Sequence, residues 1–365
     1  MAPPYASVTR SALEARALCL CALLVGVLAS ASFLAERPAQ DSSRPYVISK
    51  DVNLVVVPVL VSDKNGRFVS GLDASNFSIF ENGRPQQIMF FRNEDIPVTA
   101  GLVVDNSGSM AAWRPQVIDG AKAFVQLSNQ QDREFVVNFT NTITLGLPPN
   151  VPFTNNVDML GRALSGAPSG GTTALYDATT VALQHLQADD HEKRVLILIS
   201  DGGDNASKHS FDEVLRMAQA ANVIIYAVGL LDENSADQNP AVLKKLAKQT
   251  GGQAYFPASA SDVVDVCKAI AADIRHQYTL GYNPPNEAQS GYQKIRVRVT
   301  ARGRGKLTVR SRTGYFLVSK NADLESPEEQ SLPLRCYWTL SHVGSGLNAF
   351  TEAASWVVIG PRSFS

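Results

Sequence analysis

The chain has 365 residues, 45% of them apolar and 18% charged, which is enough to bury a core and to build more than one domain. Thirty-three basic residues stand against thirty-four acidic ones, for a formal net charge of -1. That balance removes any global argument for nucleic acid or for a strongly charged partner, so such a preference has to be local.

At the start, Arg10 and Arg16 precede an apolar run from Ala17 to Leu28 and the small residues Ala29-Ser30-Ala31-Ser32. This is the pattern of a cleaved secretory signal peptide over residues 1–35, and it implies a secreted or periplasmic protein. An N-terminal membrane anchor is the competing reading, disfavoured because the run is shorter than the ~20 residues a span needs. Cys19 and Cys21 fall inside that leader, which leaves Cys267 and Cys336, too few for a disulfide framework. A Cys267–Cys336 bridge and a buried thiol at Cys267 both remain open, with the buried thiol preferred.

Residues 46–93 read as a small β module. Val52 to Val61 is almost continuously apolar or β-branched, and Asp63-Lys64-Asn65-Gly66 makes a turn before Phe68-Val69. Pro58 has no N–H for a ladder, which predicts a place at a sheet edge. The runs from Asn76 to Glu81 and from Arg84 to Phe91 flank Asn82-Gly83, a type I′ hairpin signal.

From about residue 94 to 276, short Val- and Ile-rich runs alternate with helical periodicity, the mark of an open, mostly parallel, doubly wound α/β sheet of Rossmann-like kind. The strands are Val98 to Val104, Glu134 to Phe139, Val195 to Ser200 and Val223 to Gly229. Helical spacing appears at Val117, Ala121, Phe124 and Val125, at Leu175, Ala178, Ala182 and Leu186, and at Val263, Cys267, Ile270 and Ile274.

Residues 277–318 return to strict alternation at Ile295, Val297 and Val299, and again at Leu307 and Val309, around Arg302-Gly303-Arg304-Gly305. This predicts an antiparallel hairpin. Because β segments bracket the α/β domain, they are expected to pair into one discontinuous module from which that domain protrudes. Residues 319–365 lose periodicity and are expected to be largely disordered.

Chemistry concentrates in three loops. The buried strand Gly101-Leu102-Val103-Val104 runs straight into Asp105-Asn106-Ser107-Gly108-Ser109. A second strand ends in Asp201-Gly202-Gly203-Asp204, and Ser169-Gly170-Gly171-Thr172-Thr173 opens a helix. In open α/β sheets ligands bind at the carboxyl edge, where strand order reverses. Carboxylates and hydroxyls there suit a hard cation such as magnesium, and the loops have no His or Cys to favour zinc or copper. Hydroxyl ligands add no charge, which leaves the metal electrophilic enough to accept a carboxylate from outside.

Asp-x-Ser-x-Ser, a downstream Thr in a Gly-Gly-Thr loop and a strand-ending Asp-Gly resemble the metal-ion-dependent adhesion site of the von Willebrand factor A fold. The resemblance implies Asp105, Ser107, Ser109, Asp201 and one threonine as ligands of Mg2+, Mn2+ or Ca2+, with Asp105 and Asp201 able to act through bound water. Counting from Gly170-Gly171 points to Thr172 and counting back from Leu175-Tyr176-Asp177 points to Thr173, which is preferred. It further implies a non-enzymatic, adhesion-type protein-interaction module whose partner offers an Asp or Glu carboxylate to the metal. A structural envelope scaffold whose metal only rigidifies the loops is the alternative. The flanking segments Asn76 to Gly83, Tyr278 to Tyr282 and Arg312-Thr313-Gly314-Tyr315 are similar to the secreted "VWFA-related" proteins of acidobacteria.

Each motif has a blander reading. Asp105 can cap the next helix, with Ser107 or Ser109 as N-cap, and Asp204 and Asn205 read as plain loop residues. Ser107 and Ser109 lack a Gly-x-Ser-x-Gly context, and none of His185, His191, His209, His276 and His342 shows a pattern of pairing with them, which argues against a hydrolase. His185 and His191 read as solvated helix-end residues. A phosphotransferase with an aspartyl nucleophile wants a second Asp where Ser107 stands, and the Gly-rich loop lacks the Lys of a phosphate-binding loop. Residues 294–312 carry eight basic residues and no acid. They read as a solvated face partly neutralised by Asp323, Glu325, Glu328 and Glu329, or as a contact for an anionic envelope polymer or lipid headgroup.

Overall fold

The computed structural model describes residues 54–232, 237–285 and 290–317. The expected leader, the start of the N-terminal β module and the tail over 319–365, Cys336 included, lie outside the described residues. None of the described helices is long and apolar enough to cross a membrane.

Four strands come first: β1 (Val55–Ser62), β2 (Phe77–Glu81), β3 (Arg84–Gln86) and β4 (Phe90–Arg92). The α/β domain follows with β5 (Val98–Asp105), α1 (Arg114–Gln126), β6 (Arg133–Phe139), β7 (Ile143–Leu145), α2 (Val157–Ser165), α3 (Leu175–Leu186) and β8 (Lys193–Ser200). It continues with α4 (Phe211–Ala220), β9 (Val223–Gly229), α5 (Pro240–Thr250), β10 (Ala254–Tyr255) and α6 (Asp262–Arg275). The described chain ends with β11 (Tyr278–Tyr282), β12 (Gly291–Val299), β13 (Thr308–Ser311) and β14 (Gly314–Leu317).

The domain's six-stranded sheet has the order β10-β9-β8-β5-β6-β7, parallel except for the short antiparallel β7. All eight residues of β5 are buried, as a central strand covered on both faces requires. Leu175, Ala178, Ala182 and Leu186 form the fully buried stripe of α3. Ser210 and Glu213 close a capping box that starts α4, and the left-handed Gly251 ends α5. Strand order runs outward from β5 in both directions. The carboxyl ends of β5 and β8 therefore flank the switch point, the crevice where such sheets place ligands.

The β segments differ from the sequence expectations in three details. The first is that the described strands of the N-terminal segment do pair with those of the C-terminal segment, but in two four-stranded sheets, β13-β1-β11-β4 and β14-β12-β2-β3, rather than as a separate module completed by a hairpin. The second is the simple hairpin around Arg302-Gly303. β12 pairs with β14 over its first half and with β2 from Ile295 to Val299, whereas β13 pairs with β1. Long-range partners with complementary apolar faces outcompete the local turn, which alternation alone does not reveal. The third is Pro58, which lies in a strand flanked on both sides. The β13 ladder covers only Val59–Ser62, so no N–H is needed from Pro58 there. The Asn82-Gly83 turn has both residues at positive φ, 49° and 83°, as a type I′ hairpin requires.

Candidate metal centre

Asp105 ends β5 and Asp201 directly follows β8. Because these strands are parallel neighbours, with Val104 opposite Ile199, both carboxylates emerge at the same edge. Asp105 is held from two sides: Ser107 N donates to its Oδ1 at 2.9 Å, and Ser200 Oγ donates to its Oδ2 at 2.6 Å. The Ser107 and Ser109 hydroxyls lie 3.3 Å apart, and Ser109 Oγ donates to Asp201 Oδ2 at 2.7 Å. Gly203 N donates to Asp201 Oδ1 at 2.9 Å. Asp105, Ser107, Ser109 and Asp201 thus form one oxygen-lined group. Three members are buried, while Ser109 is half-buried and opens to solvent.

The third loop closes over this group. Gly170 and Gly171 both have left-handed φ, 107° and 90°, and Gly170 N donates to Asn106 O at 2.8 Å. Thr172 is exposed and Thr173 is buried. Asn205 binds Thr173 from both sides, its Oδ1 accepting from Thr173 N at 2.9 Å and its N donating to Thr173 O at 3.0 Å. The Thr173 hydroxyl makes no hydrogen bond among the described residues. Thr173 therefore sits in the adjoining loop, tied to the Asp201 loop through Asn205 rather than hydrogen-bonded to the four.

Local backbone chemistry fixes these loops. Gly202 has φ +83°, and a Cβ there would lie 2.3 Å from Asn239 O, so only glycine lets the chain turn beneath α5. Ser107 occupies the N-cap of the 3-10 turn Gly108–Trp113 but makes no side-chain capping bond. Its hydroxyl faces Ser109 instead, so the capping account of Ser107 does not hold. Asp204 Oδ2 accepts from Tyr176 N at 2.9 Å, which makes it a remote cap for α3.

Two residues of this network carried no assigned role in the sequence. Ser200 was visible only as the end of a strand, and its grip on Asp105 depends on the β5/β8 register. Asn106 donates to Val104 O and to Asn138 Oδ1, at 3.1 and 3.2 Å, and so stiffens the turn between Asp105 and Ser107.

The electrostatics of the group are set by burial and by its neighbouring carboxylates. Among the described residues no Lys, Arg or His pairs with Asp105 or Asp201. Burial pushes the Asp105 carboxyl above the ordinary carboxylate range and nearby Asp201 adds to that, while hydrogen bonds from Ser200 and Ser107 pull the other way. Two neighbouring carboxylates with hydroxyls and no counter-charge match the donor set of a hard divalent ion.

The histidines are engaged elsewhere. His185 packs against the rings of Phe135 and Phe153 and lies 2.8 Å from Pro152 O, and His191 is 16% exposed beside Asp189, so neither is a solvated helix end. His209 binds Asp177 and His276 stacks on Phe68. His342 lies outside the described residues. Asp189, Asp190 and His191 bring three potential ligand atoms together at the opposite, amino edge of the sheet. Arg133 already binds both carboxylates there, so that cluster has its cation.

Residues 101–268 match the model of the von Willebrand factor type A domain. An uncharacterized protein of Borreliella burgdorferi is 26% identical over 182 residues, 44% of this chain and 51% of that protein. Integrin alpha-X of Mus musculus is 24% identical over 169 residues, 45% of this chain and 14% of the integrin. The chain thus spans about half the length of the first relative and a small part of the second. Among solved structures, the von Willebrand factor type A structure from Catenulispora acidiphila is 12% identical with a TM-score of 0.45, over 74% of this chain and 76% of that one.

Proposed function

We propose that this chain is a secreted or periplasmic, divalent-cation-dependent interaction module, on the basis of the von Willebrand factor type A match over residues 101–268, a fold whose metal-site members mediate protein–protein interaction and adhesion. The observation that carries this reading is the group of Asp105, Ser107, Ser109 and Asp201, joined by hydrogen bonds at one sheet edge without a basic partner among the described residues. Asp105, Ser107, Ser109 and Asp201 would hold the ion, with Thr173 as the fifth residue offered by the adjoining loop. Mg2+, Mn2+ or Ca2+ bound there would supply an electrophilic centre for an Asp or Glu carboxylate of a partner protein.

The chain's own residues do the positioning. Ser200 and the Ser107 amide fix the Asp105 carboxylate, and Asn106 and Asn205 lace the three loops together. Ser109, the half-buried member, marks the side from which a partner approaches. The β sheets built from residues 54–93 and 277–317 would serve as scaffold.

Binding to immobilised peptides, each presenting one Asp or Glu, tests this reading when measured in Mg2+, in EDTA and after Mg2+ is restored, with circular dichroism alongside. Binding that disappears with EDTA and returns with Mg2+, at unchanged dichroism, is the expected result. Binding indifferent to EDTA sinks the reading. Loss of dichroism on chelation replaces it with a scaffold whose ion serves the fold alone.

A further inference from the structure

The hairpin of β12 with the β13–β14 run opens halfway along its length. β14 pairs with Gly291 to Lys294, and Ile295 N still donates to Thr313 O at 2.8 Å. Beyond that point the run from Ser311 back to Thr308 leaves β12 and joins β1. The second half of β12 pairs with β2 along its other edge. Between the parted strands lies a cleft of about 480 Å³. Ile295, Val297 and Val309 supply apolar lining, and Lys244 and Lys248, one turn apart on α5, reach it from the α/β domain.

Two arginines of β13 and its exit also line this cleft, and they differ. Arg310 is committed, paired with Asp273 and hydrogen-bonded to Gln253. Arg312 is 5% exposed, lies 5.3 Å from the Tyr315 ring centroid and donates to Asn222 Oδ1 at 2.6 Å. Its Nε has no hydrogen-bond partner, and no carboxylate pairs with it among the described residues. A buried guanidinium without a counter-ion is costly, and the cleft is where a counter-ion can reach it.

We propose that this cleft is a docking groove for an extended acidic segment, and that its occupant is the chain's own run Asp323-Leu324-Glu325-Ser326-Pro327-Glu328-Glu329. Charge supports the match: Asn321 to Leu334 contains these four acids and no Lys or Arg. Reach supports it too. Asp323 lies six residues beyond Leu317 and can extend roughly 20 Å at ~3.3 Å per residue. That exceeds the four-residue length of β14, along which the chain must return to the cleft. Beyond Ile295 the β14-side edge of β12 has no strand partner among the described residues, and it offers backbone groups to an added strand, the β-augmentation mode of peptide capture. Tethering raises the effective concentration of the segment to roughly the millimolar range, so that modest contacts suffice.

The test uses the full chain and a variant with D323N, E325Q, E328Q and E329Q. A fluorescent peptide copying Asn321 to Leu332 is titrated into both by anisotropy. Occupied wild type should bind it at least ~10-fold more weakly than the neutralised variant, and binding to the variant should weaken as salt rises. Adding K244Q and K248Q, both on the exposed face of α5, should abolish that binding, with unchanged circular dichroism showing that loss of the Lys244–Phe256 ring contact leaves the fold intact. Equal affinity for wild type and variant overturns occupancy by the chain's own segment and leaves an external acidic peptide as the ligand. Absence of binding to the neutralised variant, or binding untouched by K244Q and K248Q, overturns the groove itself.

Discussion

The two edges of the six-stranded sheet treat buried carboxylates in opposite ways. At the amino edge the buried Asp132 and Asp189 each have a cation: Arg275 binds Asp132 and the exposed Asp95, and Arg133 binds Asp189. Against the upward push of burial, hydrogen bonds from Thr99 and Arg133 hold the Asp189 carboxyl below its ordinary range. At the carboxyl edge Asp105 and Asp201 have, among the described residues, only hydroxyls and amides as partners, and burial pushes Asp105 upward. The same fold thus pairs Asp132 and Asp189 with arginines at one edge and leaves Asp105 and Asp201 to hydroxyls and amides at the other.

Breaking the pairing at the amino edge should have the largest effect. Arg275→Ala leaves Asp132 buried and unpaired and is expected to cost about 3–5 kcal/mol, read as a drop in the urea midpoint. A variant within ~1 kcal/mol of wild type would show that the amino edge is not held by this pair.

Glu134, fully buried at the start of β6, is the exception at the amino edge, with no ion pair among the described residues, and it tests the contrast through pH. Burial pushes its carboxyl from 4.5 up to about 8. The folded state therefore holds a proton that the unfolded state releases, so stability falls as pH rises between those values, with the full loss reached above about 8. Glu134→Gln should match wild type at pH 4 and exceed it by about 2–4 kcal/mol at pH 9. Parallel stability profiles for the two proteins would contradict the assignment.

At the carboxyl edge, Gly202→Ala combines left-handed φ with a collision against Asn239 O and should destabilise by about 1–3 kcal/mol, with loss of cation affinity. Asp201→Asn tests the smallest effect. Without cation it should leave stability unchanged or raise it by up to about 1 kcal/mol, because it relieves repulsion with Asp105. A clear loss of stability would mean that Asp201 serves the fold rather than a ligand.

Much of this was legible because it is local. The strands Val98 to Val104 and Val195 to Ser200 announce themselves by unbroken burial, and the Asp at each end follows from sequence position alone. The Asn82-Gly83 hairpin is equally local. What stayed hidden depends on pairing between distant segments. Ser200 reaches Asp105 only through the β5/β8 register, and β13 abandons β12 for β1, more than 240 residues earlier in the chain. His185 has the composition of a solvated helix end, and only the approach of Phe153 from another loop makes it a packed residue.

Calorimetric titration of Mg2+ and Mn2+ into the purified protein and into Asp105→Ala, both checked for folding, tests most directly that the carboxyl edge is an open cation site. The account predicts one ion bound per chain in wild type and none in the variant. Equal binding by both proteins, or none by either, would contradict it.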